Sequence, residues 1–378
     1  MSRNHFIYPV LGLLLLLGAF YACEEEDLPG EFEIQQISRL YVSFEEYNPD
    51  SDVERDTNIR VIEPADSSVF AFQESHVSQV QGGGPLYFNP FVKTLFQASA
   101  NANGVDTVIS TVNVERTGRL NNNGDGLRSR YFQHVRGITY HSAMQALIVV
   151  HGVDESTGED PEAGIYLIDN PGRGGAQKQP YKKLINPDLK MWGAAYRADR
   201  VFTTKLSAPA GLYMFKNITI QPVRAVDSTA TLHPSASWTI AGASTKLRGM
   251  SYDTVKNVLA IAEMGDEAQL GSGRILIFTN FSNTIARPEA TIRPTRVITG
   301  PNTGLISPVD VVIDSRAGNE FLYVADRTAK KVSRFKYTDE GDVVPDEVVD
   351  TKAVFGATPV GLALDARDET NFPRVPGQ

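Results

Sequence analysis

Arg136, Trp192 and Arg248 follow one another at intervals of 56 residues, and each stands immediately before a glycine: Gly137, Gly193 and Gly249. A guanidinium grips a carboxylate through two parallel N–H donors, and an indole offers a flat face to a sugar ring or a cation. Side chains of these types, gathered by a repeat, could clamp a small acidic or glycan-like ligand. The same arginines could instead pair with acids such as Glu263 and Asp326 and only neutralise charge where the repeats meet. Other chemistry is thinly represented. The sequence contains no Gly-x-Ser-x-Gly elbow and no His-Glu-x-x-His. His76, His134, His141 and His233 are scattered, as structural imidazoles are. Asn121 to Gly126 opens like a calcium loop, but Phe132 stands where the closing bidentate glutamate belongs, so the segment reads as a turn-rich connection.

The elements that must position these residues are short strands. From Arg39 onward, runs of Val, Ile, Phe, Tyr and Thr alternate with clusters of Gly, Asn, Asp, Ser and Pro, and no apolar period of 3.6 residues is sustained. The chain of 378 residues is 42% hydrophobic and 21% charged, the balance of a folded protein. It is too long for one ordinary domain, which leaves two domains or a repeat that grows by adding units. With 36 Lys and Arg against 45 Asp and Glu the formal charge is -9, and no basic stripe exists to neutralise phosphates, which excludes nucleic acid as a partner. A single cysteine excludes an internal disulfide framework and any Cys-rich metal site.

Arg136-Gly137, Trp192-Gly193 and Arg248-Gly249 each begin one template: Val135 to Tyr140, Met191 to Tyr196, Leu247 to Tyr252. Degenerate copies follow at Pro308 to Asp314 and Pro359 to Asp365, and a weaker one precedes at Gly84 to Phe88. A period near 55 residues suits a blade of four antiparallel strands. Second strands are expected at Ala146–Val150, Val201–Thr204, Val258–Ala262 and Phe321–Ala325; fourth strands include Thr291–Ile298 and Thr351–Phe355. The last copy lacks its outer strands. Arg39–Phe44, Asn58–Ile62 and Ser68–Phe72 read as second, third and fourth strands with no first before them. The two ends therefore complete one blade, and the expected fold is all-β, a six-bladed β-propeller over residues 39–365 with a tail over 366–378.

Ahead of the strands, Arg3 precedes an apolar run from Phe6 to Ala22 that stops at Cys23, followed by Glu24-Glu25-Glu26-Asp27. The run is about 17 residues, short for a bilayer span, and Pro9, Gly12 and Gly18 weaken it as a helix. It resembles the lipobox of bacterial lipoproteins, with Phe20 and Tyr21 departing from the usual residues. The acidic tetrad is similar to the export signal of Bacteroidota lipoproteins. The resemblance implies a signal peptide over 1–22, a tether over 23–38 and lipid attachment at Cys23. The membrane then becomes a partner through the lipid, with the body on the outer membrane facing outward and a mature net charge of -10. A solvated acidic linker behind an uncleaved anchor is the alternative.

Leu322-Tyr323-Val324-Ala325-Asp326, with Pro308 to Asp314 before it and Lys331 to Phe335 after it, resembles an NHL-type repeat, the unit of six-bladed propellers in the group that includes gluconolactonase-like enzymes. In such a blade the start of the first strand lies beside the end of the second. That gathers Arg136, Trp192, Arg248 and Val309 with Glu45, His151, Lys205, Glu263, Asp326 and Arg327 at one mouth of a central channel. The expected ligand-binding set is Arg136, His151, Trp192, Lys205, Arg248, Glu263 and Asp326, with no cofactor and no catalytic residue. Asp154 to Glu162 forms an acidic loop beside that mouth. The function expected is a binding module serving nutrient capture or an envelope complex, with an outer-membrane protein as a further partner. The resemblance also implies an alternative, a metal-dependent lactonase or esterase holding a divalent cation such as Ca²⁺ with Glu45, Glu263 and Asp326. The asparagine that would complete that set has no counterpart.

Overall fold

The computed structural model describes residues 36–47, 57–100, 106–172, 177–288 and 290–368. Cys23 and residues 369–378 of the expected tail lie outside these ranges. Six antiparallel sheets form, each begun by one copy of the template: Pro359–Asp368, Gly83–Asn89, Val135–His141, Met191–Arg197, Leu247–Asp253 and Pro308–Ile313. Each of these inner strands packs on the inner strands of the two neighbouring sheets, so the ring closes and the protein is a six-bladed β-propeller.

The expected joining of the ends is present. Pro359–Asp368 pairs antiparallel with Gln36–Phe44, placing Leu364 opposite Leu40 and Leu362 opposite Val42. Ile59–Ile62 and Phe72–His76 complete that blade, with the fourth strand a few residues beyond the expected Ser68–Phe72.

Burial follows from position in the blade. Second strands such as Ala146–His151 and Val258–Glu263 are buried at every residue, because neighbouring blades cover both of their faces. A strand covered on both sides reads as a continuous apolar run rather than an alternating one, which is the pattern of Leu147-Ile148-Val149-Val150. Six apolar clusters fill the six interfaces between adjacent blades. The largest buried side chain, Trp238, packs where the fourth and fifth blades meet and donates its indole N–H to Arg287 O at 2.7 Å.

The outer strands depart from expectation. Thr291–Ile292 does not belong to the fifth blade; it pairs parallel with Ala236–Ile240 of the fourth, and Arg296–Ile298 is the true fourth strand. Thr229–Thr231 likewise pairs parallel with Lys182–Ile185 of the third blade. Thr351–Phe355 is a short helix, because Asp350 accepts the Ala353 N–H at its start and Gly356 closes it at φ 68°, leaving Glu347–Asp350 as the strand.

Candidate functional site

Each inner strand carries one β-bulge near its start. The register against the second strand slips between Val135 and Gly137, Trp192 and Ala195, Leu247 and Met250, and Pro308 and Asp310. It slips likewise between Gly83 and Leu86, and between Pro359 and Gly361. A bulge leaves a residue unpaired and re-aims its side chain. Here the bulged positions Arg136, Arg248, Val309 and Val360, with Gly84 and Pro85, ring one mouth of the channel together with Trp192, the last paired residue before the bulge at Gly193 and Ala194. The glycine that follows Arg136, Trp192, Arg248 and Val360 sits in a crowded place. A Cβ on Gly137 would lie 2.5 Å from the carbonyl carbon of Gly193, and one on Gly361 would lie 2.5 Å from Gly84 O.

Trp192 is held between the two arginines. The Arg136 and Arg248 guanidinium carbons stand 4.6 and 4.4 Å from its ring centroid. Arg136 donates twice to Val153 O, at 3.1 and 3.3 Å, and makes no ion pair within 4.0 Å among the described residues. Arg248 meets Glu155 at 3.2 Å, while Arg327 meets Glu45 at 2.9 Å and Glu155 at 3.9 Å. Glu155 thus crosses the mouth from the third blade to the fifth and sixth. Burial lowers the pKa of both Arg136 and Arg248, opposed by the Glu155 charge, and both remain cationic. Burial raises the pKa of Glu45, with Arg327 opposing it. Three arginines face two glutamates at this mouth.

Below the mouth the channel encloses about 260 Å³ and is lined mainly by backbone and apolar groups. Asp310 lines it at the template position that is glycine in the first, third, fourth and fifth blades. It accepts the Leu362 N–H at 2.8 Å and the Val311 N–H at 2.9 Å. Burial pushes its carboxyl up to about 7 against the pull of those two donors.

Of the seven residues expected to bind ligand, three line the mouth and four do not. Glu263 accepts the Ser244 N–H and pairs with Arg274; Asp326 accepts the Ile306, Ser307 and Ala329 N–H groups. His151 meets Tyr131 O at 2.8 Å and Asp160 at 2.9 Å, and Lys205 lies 5.8 Å from the Tyr213 ring. The reason is shared. The last residue of a second strand sits one strand out from the axis, where the loop leading into the first strand passes. Glu263, Asp326 and His151 each tie down that loop with a side chain, and Ser99 does the same through Gln81 O in the second blade.

The expected calcium set does not fit. Glu45 is at the mouth, but Glu263 and Asp326 are spent on their loops, and the three do not converge. Among the described residues, His134, His151 and Asp160 are the group of three whose potential ligand atoms lie within 4.8 Å of one another. Burial alone would raise the Asp160 pKa, but the His151 and His134 contacts and the Glu162 N–H outweigh it and hold the carboxyl well below the usual range. The segment Asn121 to Gly126 ends the strand Leu120–Asn122 and turns, with Gly124 and Gly126 at φ 63° and 71°, into Leu127–Arg128, which pairs with the same third strand, Val108–Val114.

No family model matches the sequence, and no curated protein sequence matches it. The likeness is to solved propellers. A chain of the nidogen/laminin complex superposes with a TM-score of 0.51 at 11% identity, covering 87% of this chain and 98% of that one. The periplasmic gluconolactonase PpgL of Pseudomonas aeruginosa superposes with a TM-score of 0.52 at 12% identity, covering 87% and 99%. The fold therefore defines a six-bladed propeller whose structural neighbours include a lactonase and a chain from a protein complex. Such likeness establishes architecture and leaves activity to the site.

Proposed function

We propose that this protein is a lipid-tethered binding module whose channel mouth takes a small anionic or sugar-acid ligand. The observation that carries the reading is the sandwich of Trp192 between Arg136 and Arg248, which stand at the same template position of three successive blades, at or immediately before the bulge of each inner strand. Arg136 brings a guanidinium without a carboxylate partner, and Glu155 is a partner that a ligand carboxylate can replace on Arg248. The indole edge between them supplies an apolar contact for a sugar ring. The lactonase reading has less support, since its three carboxylates do not converge. The lipoprotein part rests on Cys23 and its flanks alone.

Two experiments test the two parts. A panel of uronic acids titrated against the full chain should quench Trp192 emission, with fully buried Trp238 as an internal reference. Arg248→Ala should weaken binding about tenfold or more, corresponding to about 1.5–3 kcal/mol for a charged hydrogen bond. Absence of saturable binding across the panel, or unchanged affinity in the variant, would sink the ligand reading. Cys23→Ser should move the protein from the detergent phase to the aqueous phase or leave it unprocessed; equal partitioning would reject lipidation.

A further inference from the structure

We propose that His134, His151 and Asp160 form a binding site for one transition-metal ion of the Zn²⁺ class, at the foot of the loop that crosses the channel mouth. This goes beyond the ligand reading and does not depend on it.

The donors already converge. Asp160 Oδ2 lies 2.7 Å from His134 Nδ1 and 2.9 Å from His151 Nε2. In a tetrahedral zinc site, bonds of about 2.0–2.1 Å hold neighbouring donors about 3.3 Å apart. Asp160 Oδ2 needs to draw back from each ring nitrogen by only about half an ångström to admit an ion, and all three donor atoms lie within 4.8 Å of one another.

Their orientations are set from outside. His151 Nδ1 stands 2.8 Å from Tyr131 O, and a carbonyl oxygen only accepts, so Nδ1 carries the hydrogen and Nε2 is the atom turned toward Asp160. An imidazole whose far N–H is held by a backbone carbonyl is the usual outer support of a metal-bound histidine. Asp160 Oδ1 accepts the Glu162 N–H at 2.8 Å, which reserves Oδ2 for the cluster. One carboxylate oxygen thus receives two ring nitrogens, one of them on a side chain only 1% exposed, so the three donors are held together inside the protein.

Entry and chemical class follow from the same residues. The His134 side chain is 21% exposed, so the cluster opens to solvent on that side and leaves room for a water as fourth ligand. Two imidazoles and one carboxylate suit Zn²⁺ or Co²⁺; Ca²⁺ and Mg²⁺ require more oxygen donors than the site offers. His134 belongs to the loop leading into the first strand of the third blade, His151 ends the second strand, and Asp160 lies in the crossing loop. An ion there would fasten together the three segments that place Glu155 over the mouth.

The test uses the full chain in detergent, stripped with a chelator and titrated with Zn²⁺ alone, Co²⁺ alone or Ca²⁺ alone. Zn²⁺ should bind saturably at one equivalent and raise the melting temperature, Co²⁺ should give the visible absorption of a tetrahedral site, and Ca²⁺ should do neither. His134→Ala leaves Asp160 still paired with His151, and should weaken Zn²⁺ binding about 10- to 100-fold. Asp160→Asn should do the same, and His233→Ala, which removes an exposed imidazole elsewhere, should not. Circular dichroism of the metal-free forms confirms folding, and whichever cluster variant folds supplies the comparison. A folded parent that takes up less than one equivalent, or a folded cluster variant that binds as tightly as the parent, would overturn the proposal.

Discussion

Asp310 occupies the place where four other blades carry glycine, and its carboxylate lines the channel with no cation paired to it among the described residues. Its carboxyl is raised to about 7 in the folded protein, against about 3.9 in an unfolded chain. Between those values the folded state binds more protons than the unfolded state, so this group makes stability fall as pH rises from about 4 to 7, with the full penalty above. The ceiling is about 4 kcal/mol, and screening through the open channel reduces it to about 1–3 kcal/mol. Asp310→Asn, which keeps an oxygen for the Leu362 N–H, should therefore raise the melting temperature at pH 8 and leave it nearly unchanged at pH 4.5. An equal effect at both pH values would show that Asp310 does not titrate in this range. At this scale the sequence was partly legible. Arg136, Trp192 and Arg248 were readable because each stands immediately before the repeated glycine that marks the bulge of its strand. Glu155 was recognisable only as part of an acidic loop beside the mouth, since its reach to Arg248 and Arg327 depends on how blades are arranged in space. Glu263 and Asp326 were misplaced because proximity of strand ends does not say which way a side chain turns.

Between residue and whole, the strands differ in how strongly their sequences announce them. The first two strands of each blade are recognisable from glycine, β-branched residues and continuous apolar runs. Third strands carry a second glycine signal: a Cβ on Gly164 or Gly211 would overlap the carbonyl oxygen of Leu184 or Trp238 on the fourth strand beside it. Fourth strands are the faint ones. Phe72–His76 and Glu347–Asp350 are largely exposed, so little apolar periodicity is imposed on them. Thr229–Thr231 and Thr291–Ile292 pair with the blade before their own, in parallel, which no local pattern encodes. Gly341 of the sixth blade bridges to Ile298 of the fifth in the same sense. These segments cover outer strands that would otherwise present unpaired N–H and C=O groups to another sheet.

The integrity of the whole ring rests on one strand supplied from the far end of the chain. Pro359–Asp368 is hydrogen-bonded to Gln36–Phe44 and packed between the inner strands of the second and sixth blades. Its side chains serve two interfaces at once, Leu362 on the sixth-blade side and Ala363 on the second-blade side. It also provides the Leu362 N–H that satisfies Asp310 and the Asp365 carboxylate that pairs with Arg367. Deleting residues 357–378 would open both interfaces, leave Gln36–Phe44 with a bare edge and strip Asp310 of its nearest donor. Each loss is of the order of 1–3 kcal/mol, and together they approach the 5–15 kcal/mol by which domains are ordinarily stable. The truncated protein should therefore lose its single cooperative thermal transition, bind a hydrophobic dye and self-associate, as read by calorimetry and light scattering. A truncated chain that melts as one unit near the parent's temperature would mean that five blades and a partial sixth hold the ring without the closing strand, and that the joining of the ends contributes to its assembly rather than to its stability.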